Sequence, residues 1–219
     1  MPAAAFLLPA LLWGARRGSW GAVFPLKPVP FQVLLRAAAL AAGASLAALA
    51  AAALLTRLFP SSGQEEEALR RLIQSVPPGE ALLLFALWPA LCEEALFRGA
   101  LLDGLRGFPP AAACLLSGGV FGLFHGSLFR FLPVALLGAA LAAVVLRTGN
   151  WALAVLFHAL HNGAILLSSA PPGAGEPPFL LPALLAVLLG FWGLGPYPRR
   201  KMGGKGEAVK EEGPPSLPS

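Results

Sequence analysis

The sequence is poor in charge and in cysteine. Charged residues make up 12% of its 219 residues, whereas soluble domains contain roughly 25%. The two cysteines, Cys92 and Cys114, are isolated within apolar runs, so a disulfide framework is excluded and small buried side chains are expected. Hydrophobic residues make up 57%, and the mean hydropathy is +0.71. The composition therefore predicts an integral membrane protein and excludes an ordinary soluble domain.

Signals for a cleaved leader, for a sheet and for a nucleic-acid surface are also missing. The apolar run Met1–Trp13 contains Pro9 and is followed by Arg16 and Arg17, whereas a signal peptide carries its cations first. We interpret this run as a re-entrant or interfacial segment. No stretch has the alternation of a β-strand. The net charge of +5 comes from loops and chain ends, so we expect the lipid bilayer as a partner and no nucleic acid.

Apolar runs separated by proline, glycine and charged residues predict about six transmembrane helices. Their expected bounds are Phe31–Phe59, Glu80–Leu105, Ala111–Leu128, Phe131–Leu146, Trp151–Ser168 and Phe179–Leu194. Glu65–Val76 has acids first, arginines later and one apolar stripe, as an amphipathic surface helix does. The predicted fold class is all-α, a polytopic membrane protein. Its expected parts are an N-terminal part (1–78), the helical domain that follows (79–195) and a disordered polar tail (196–219).

Basic residues in short loops predict the orientation. If the end that carries Arg16, Arg17 and Lys27 is cytoplasmic, six spans place the other basic groups on the same side, namely Arg98 and Arg106, Arg147, and the tail at 199–201. The exceptions on the opposite side are Arg57, Arg70, Arg71 and Arg130. We therefore expect a multi-pass protein of the plasma membrane with both termini in the cytoplasm.

The predicted second span contains two adjacent carboxylates and an arginine. An ionisable side chain at bilayer depth costs about 2.5–3.5 kcal/mol, so such residues indicate a functional site. Glu94 and Arg98 share a helical face at i, i+4 and are expected to form an ion pair. Glu93 points about 100° away and has no cation nearby in the sequence. Its carboxylate is therefore left free for chemistry.

The predicted third span carries a histidine that Glu93 could meet. Phe121 and His125 share a face at i, i+4. A row of small residues that lets a neighbouring helix approach lies beside that face: Gly118, Gly122 and Gly126. His125 lies near the far end of its predicted span. Either that helix extends past Leu128, or it is displaced along the membrane normal.

The predicted fifth span carries His158, His161 and Asn162 within two turns. Unsatisfied polar groups in hydrocarbon cost several kcal/mol each, so we expect these side chains to satisfy one another and Glu93 around a small wet cavity. A carboxylate and an imidazole that share a water form a general base, and a second imidazole with an amide can bind an oxyanion. This predicts peptide hydrolysis without a covalent nucleophile. Trp151, which begins the same span, is interpreted as an interfacial or packing residue.

These residues resemble the pattern of the CPBP family of intramembrane proteases, also called the CAAX protease or Abi family. That pattern is Glu-Glu-x-x-x-Arg on one helix, Phe-x-x-x-His on the next and His-x-x-x-Asn/Asp on a later one. Here the three parts are Glu93–Arg98, Phe121–His125 and His158–Asn162, in the family's order. The resemblance covers about residues 82–169.

The resemblance implies an all-helical membrane endopeptidase that cuts near the C-terminus of a membrane-associated peptide or protein. Carried over by position, Glu93 with His125 would activate the water. His158 with Asn162 would hold the oxyanion. The supporting residues would be Glu94, Arg98, Phe121 and His161.

The resemblance leaves the cofactor open, because Glu93, His125 and His158 can either bind zinc or hold a water. No His-Glu-x-x-His is present, so we expect a metal-free glutamate mechanism, with zinc as the alternative.

Two other function classes compete with the protease. One is a catalytically silent immunity or scaffold protein of the same fold, against which the intact Glu93, His125 and His158 argue. The other is a proton-coupled transporter, for which six spans without an internal repeat are poor support.

Overall fold

The computed structural model describes residues 3–59, 67, 71–73 and 75–167. This part of the chain is all-helical, as predicted, with one isolated antiparallel bridge between Leu26 and Asn150. The main helices are α1 (Leu7–Arg17), α2 (Trp20–Val23), α3 (Phe31–Leu58), α4 (78–104), α5 (Pro110–Phe124), α6 (Leu128–Thr148) and α7 (Trp151–Leu167). The predicted span Phe179–Leu194, the tail 196–219 and half of the predicted surface helix Glu65–Val76 lie outside the described residues.

Two of the described helices are long and apolar enough to cross a membrane. They are α3, with 28 residues and a hydropathy of 2.1, and α6, with 21 residues and a hydropathy of 2.2. The apolar helices α5 and α7 contain only 15 and 17 residues. A helical membrane fold fits these helices, while the described residues contain fewer helices of spanning length than the six expected.

The largest buried core lies between α3 and α6. From α3 it takes a row of small side chains at Ala37, Ala41, Ala44 and Ala48, and from α6 it takes Leu137, Leu141 and Val144. Alanines on one face of a helix let a neighbouring backbone approach closely, and such packing associates helices where lipid is as apolar as the side chains. This pair is the framework on which the helices with ionisable residues rest.

α4 changes helix type along its length. Its α-helical turns are interrupted by π-helical turns at Leu82–Leu87 and Ala95–Leu101, and a 3₁₀ turn at Leu105–Gly107 follows it. Pro89, which lacks an amide hydrogen and disturbs a regular helical ladder, is the second residue after the first π segment. The second π segment begins directly after Glu94. Single π turns inside α-helices are frequent at functional sites.

α5 is shorter than predicted, and α6 is longer. α5 ends at Phe124, before the predicted end at Leu128, so the first of the two alternatives for His125, an extension past Leu128, is wrong. The physical reason is Gly126, which has a left-handed φ of 68° and stops the helix. α6 then begins at Leu128 instead of Phe131.

The predicted close approach at the glycine row is present at two of its three positions. A Cβ at Gly118 would overlap backbone atoms of Ala135 and Ala139, and a Cβ at Gly122 would overlap the carbonyl oxygen of Phe131. Gly126 has open space around it, because α5 has already ended there.

The N-terminal segment packs on the second half of α4. Ala10 on α1 is completely buried. The carboxylate of Asp103 accepts hydrogen bonds from Trp13 Nε1 at 3.0 Å and from Arg17 Nε at 3.2 Å. After α2 the chain pairs with the loop before α7, where the Lys27 amide donates to the Gly149 carbonyl oxygen at 3.1 Å. The segment interpreted as re-entrant or interfacial is thus a helix held against α4.

Candidate active site

α4 buries an ion pair between Glu94 and Arg98. These residues are 0% and 1% exposed, and Arg98 Nη1 donates to Glu94 Oε1 over 2.8 Å. Arg98 Nη2 donates to the carbonyl oxygen of Gly138 on α6, also at 2.8 Å. The guanidinium carbon lies 4.5 Å from the centre of the Phe121 ring on α5. The ion pair expected from the i, i+4 spacing is present, and it connects α4 to both neighbouring helices.

His158 on α7 lies between the two carboxylates. Its Nδ1 is 2.8 Å from Glu94 Oε1 and must donate there, because a carboxylate oxygen accepts. Its Nε2 is 3.8 Å from Glu93 Oε2. The Glu93 side chain is 15% exposed and that of Glu94 is 0% exposed. Glu93 is therefore the accessible carboxylate, and Glu94 is committed to Arg98 and His158.

His125 follows the last residue of α5. Its Nδ1 lies 3.0 Å from the carbonyl oxygen of Phe121, and a carbonyl oxygen accepts, so the neutral imidazole keeps a lone pair on Nε2. The Phe121 ring centre is 4.8 Å from that of His125 and 5.6 Å from that of His158. Phe121 thus contacts both imidazoles. In the described part of the chain, no hydrogen bond or ion pair joins His125 to Glu93.

Comparison with known families bears on this arrangement. Residues 78–164 match the family model described as Type II CAAX prenyl endopeptidase Rce1-like. This part of the chain is similar to the Rce1-like family, and we call residues 78–164 the Rce1-like segment. The expected resemblance to the CPBP, or CAAX protease, family is confirmed by the match, which supports a membrane-associated protease of the CAAX endopeptidase type. The comparison with curated proteins and the comparison with solved structures each gave no match.

All the predicted site residues lie within the Rce1-like segment. Two of them, His161 and Asn162, are half-buried on α7 beyond His158. Among the residues that the structure describes, neither side chain makes a hydrogen bond, so the structure does not join Asn162 to the cluster of Glu93, Glu94 and His158.

Trp151, which was expected to be an interfacial or packing residue, contacts the backbone of this site. Trp151 Nε1 donates to the backbone carbonyl oxygen of Glu94 at 2.9 Å. Its spacing was a usable signal, since Trp151 and His158 are related by i, i+7 and share a face of α7.

The candidate active site matches only some of the features of a metal site. Both His125 and His158 hold Nδ1 in a hydrogen bond and leave Nε2 toward other groups, as metal-bound histidines do. The described residues nevertheless contain no group of three His, Cys, Asp or Glu side chains placed to share one ion. We derive no step of the reaction through a metal.

Proposed function

We propose that this chain is an intramembrane endopeptidase. Its substrate would be a membrane-associated peptide or protein, cut near the C-terminus or the membrane anchor. The observation that carries the proposal is the accessible Glu93 carboxylate, 3.8 Å from His158 Nε2, within a segment that matches a family of CAAX prenyl endopeptidases. An ionisable pair of this kind among apolar helices is costly and indicates function.

In the proposed reaction Glu93 acts as the general base. The gap of 3.8 Å to His158 Nε2 is too long for a direct hydrogen bond, and a water can contact both atoms. Glu93 takes a proton from this water as its oxygen attacks the carbonyl carbon of the peptide. When the tetrahedral intermediate collapses, the C–N bond breaks and Glu93 returns the proton to the leaving nitrogen. No covalent intermediate with the protein is formed.

The imidazoles and the amide of Asn162 supply the remaining roles in this proposal. His158 can donate from Nε2 only as an imidazolium, because its Nδ1 hydrogen is engaged by Glu94. Glu94 stabilises that positive charge through its contact with Nδ1, and the charged ring in turn stabilises the oxyanion. Asn162, one turn further on α7, is the proposed second donor to the oxyanion. His125, through its Nε2 lone pair, is the proposed second acceptor for the water.

Glu94 and Arg98 position this machinery without contacting the substrate. Arg98 neutralises Glu94, and Glu94 orients the His158 ring through Nδ1. A carboxylate that fixes the tautomer and direction of a histidine is a common device in hydrolases. Phe121 packs against His125, His158 and Arg98 together, and His161 is proposed as a further support.

Hydrolysis of a labelled peptide by the purified protein in detergent tests the proposal. Wild type and Glu93→Gln receive two substrates, a prenylated CAAX-type peptide and the same peptide without the prenyl group. Loss of the general base should lower kcat by about 10²–10⁴-fold. Glu80→Gln, which removes an exposed carboxylate at the start of α4, should keep wild-type activity.

The arms of this assay separate the competing functions. Equal cleavage by wild type and Glu93→Gln would rule out the proposed mechanism. Cleavage of neither peptide by wild type would favour the immunity or scaffold function. Activity that survives dialysis against a chelator supports the metal-free reaction, and activity that is lost and returns with zinc supports the zinc alternative.

A further inference from the structure

Trp151 contacts the main chain of the proposed site instead of facing lipid alone. Its indole Nε1 donates to the carbonyl oxygen of Glu94 over 2.9 Å. The side chain of the same Glu94 holds His158, which is on the helix that Trp151 begins. α7 therefore makes two hydrogen bonds to Glu94, one to its backbone carbonyl oxygen and one to its carboxylate.

The bond from Trp151 is made where α4 changes its geometry. Glu94 is the last residue of an α-helical stretch, and a π-helical segment begins at Ala95. At such a junction the wider turn changes the direction of the backbone carbonyl groups. The direction of the side chains of Glu93 and Glu94 depends on this turn, because each Cα–Cβ bond is fixed relative to its backbone. A hydrogen bond to the Glu94 carbonyl oxygen therefore helps to fix the positions of both carboxylates.

The other side of the indole is covered by residues 24–27, the first part of the connector between α2 and α3. The ring of Phe24 meets the Trp151 ring edge to face, with 5.2 Å between the ring centres. The Trp151 amide donates to the carbonyl oxygen of Pro25 at 2.6 Å. The Phe24 ring also lies against Gly99, where a Cβ would overlap it. The connector therefore contacts both Trp151 and the π segment of α4.

We propose that Trp151 is a positioning residue for the Glu93–Glu94 pair, and that residues 24–27 of the connector hold its indole in place. The carboxylates of the Rce1-like segment would then depend on a stretch of chain that precedes the matched residues 78–164. The expected effect of Trp151 on kcat rests on the proposed protease function. Its expected effect on the structure of α4 rests on geometry alone.

The test compares two substitutions that remove the same atom. Trp151→Phe keeps an aromatic ring beside Phe24 and removes the donor to Glu94. Trp13→Phe removes an equivalent indole donor to α4, at Asp103, away from the carboxylates. We expect Trp151→Phe to lower kcat by about 10- to 100-fold with little change in KM, because a small misplacement of a catalytic group costs this much. Trp13→Phe should keep wild-type kcat.

A second readout needs no substrate and so separates this inference from the proposed function. Amide hydrogen exchange over residues 95–101 should be faster in Trp151→Phe than in wild type, and unchanged in Trp13→Phe. Phe24→Leu, a change in the connector, should raise exchange in the same residues and lower kcat in the same direction. Faster exchange without any peptidase activity in wild type would leave the positioning role standing and remove the protease. Unchanged exchange in Trp151→Phe, or equal kcat in Trp151→Phe and wild type, would overturn the inference.

Discussion

At Glu94 one carboxylate oxygen accepts hydrogen bonds from two different helices. Arg98 and His158 both reach Oε1 at 2.8 Å, and all three side chains are almost fully buried. Inside a membrane protein such a group is held by its partners and not by water, so removal of one partner leaves a charge without compensation. The cluster is therefore sensitive to single substitutions even where the changed residue does not contact a substrate.

Arg98→Met should destabilise the protein strongly. Methionine preserves the unbranched shape of the arginine stem but removes the guanidinium, so Glu94 is left buried without its cation. The loss of one partner costs about 3–5 kcal/mol in comparable buried pairs. Thermal unfolding in detergent measures the effect. Arg36→Met, the same change at an exposed arginine of α3, should leave the melting temperature near that of wild type. The double variant Glu94→Gln, Arg98→Met should recover part of the loss, and equal melting temperatures for Arg98→Met and wild type would contradict the role given to this pair.

At the scale of elements, the crossing of α5 and α6 decides where His125 lies. Gly118 is in direct contact with the α6 backbone at Ala135 and Ala139. Close contact along this seam sets the height of α5, and the left-handed Gly126 ends the helix so that His125 sits at its end. The sequence predicted the close approach at the glycine row, because the i, i+4 spacing of glycines is a local pattern. It did not predict the end of α5, because a glycine inside an apolar run reads equally as part of a helix.

Gly118→Ala should therefore lower the stability of the α5–α6 pair. The added methyl would overlap backbone atoms that cannot rotate away, and overpacking of this kind costs about 1–3 kcal/mol. Gly119→Ala is the matched control, since nothing lies within 4 Å of its Cβ position. There the better helix propensity of alanine should be neutral or stabilising by about 0.5–1 kcal/mol. Thermal unfolding of both variants checks this, and an equal loss in the two would show that the contact at Gly118 has no special weight.

At the scale of the whole molecule, one end gathers basic residues from three parts of the chain. Arg17 and Arg106 meet at Asp103, and the Asn150 side chain donates to the Lys27 carbonyl oxygen at 2.9 Å. Arg17, Lys27 and Arg106 had been expected on one side of the membrane, and they lie at one end of the structure. Arg98 had been counted among the same basic groups, and this was wrong, because Arg98 is buried in α4 beside Glu94 and is not a loop cation.

We expect this basic end to face the cytoplasm. The test uses single cysteines in a background with Cys92→Ala and Cys114→Ala, in intact cells treated with a membrane-impermeant maleimide. Gly79→Cys lies at the start of α4 and Gly107→Cys lies in the 3₁₀ turn that follows its other end. Neither position has atoms within 4 Å of the added Cβ. Gly79→Cys should be labelled in intact cells, and Gly107→Cys only after permeabilisation. Gly21→Cys, near the Ala22 carbonyl that Arg106 contacts, should behave like Gly107→Cys.

The labelling pattern can contradict this orientation in two ways. Labels on both ends of α4 from the same side would show that α4 does not cross the membrane. Labelling of Gly107→Cys alone in intact cells would show that the basic residues face outward, against the usual bias of lysine and arginine toward the cytoplasm.

Local pattern was enough to predict several features. The bounds of α3, the start of α7 and the ion pair of Glu94 with Arg98 follow from hydropathy, from turn residues and from the i, i+4 spacing, which depend on neighbours in the chain. The three-part pattern of Glu93, His125 and His158 was likewise enough to indicate the family that the match to residues 78–164 supports.

Contacts between distant parts of the chain emerged only from the fold. His158 meets Glu94 across 64 positions of sequence, and Trp151 meets the carbonyl of Glu94 across 57. No periodicity specifies such partners, because they depend on how far each helix is shifted along its neighbours and on where each one ends. The π turns of α4, the early end of α5 and the docking of the N-terminal segment set those shifts, and they place Glu93 beside His158.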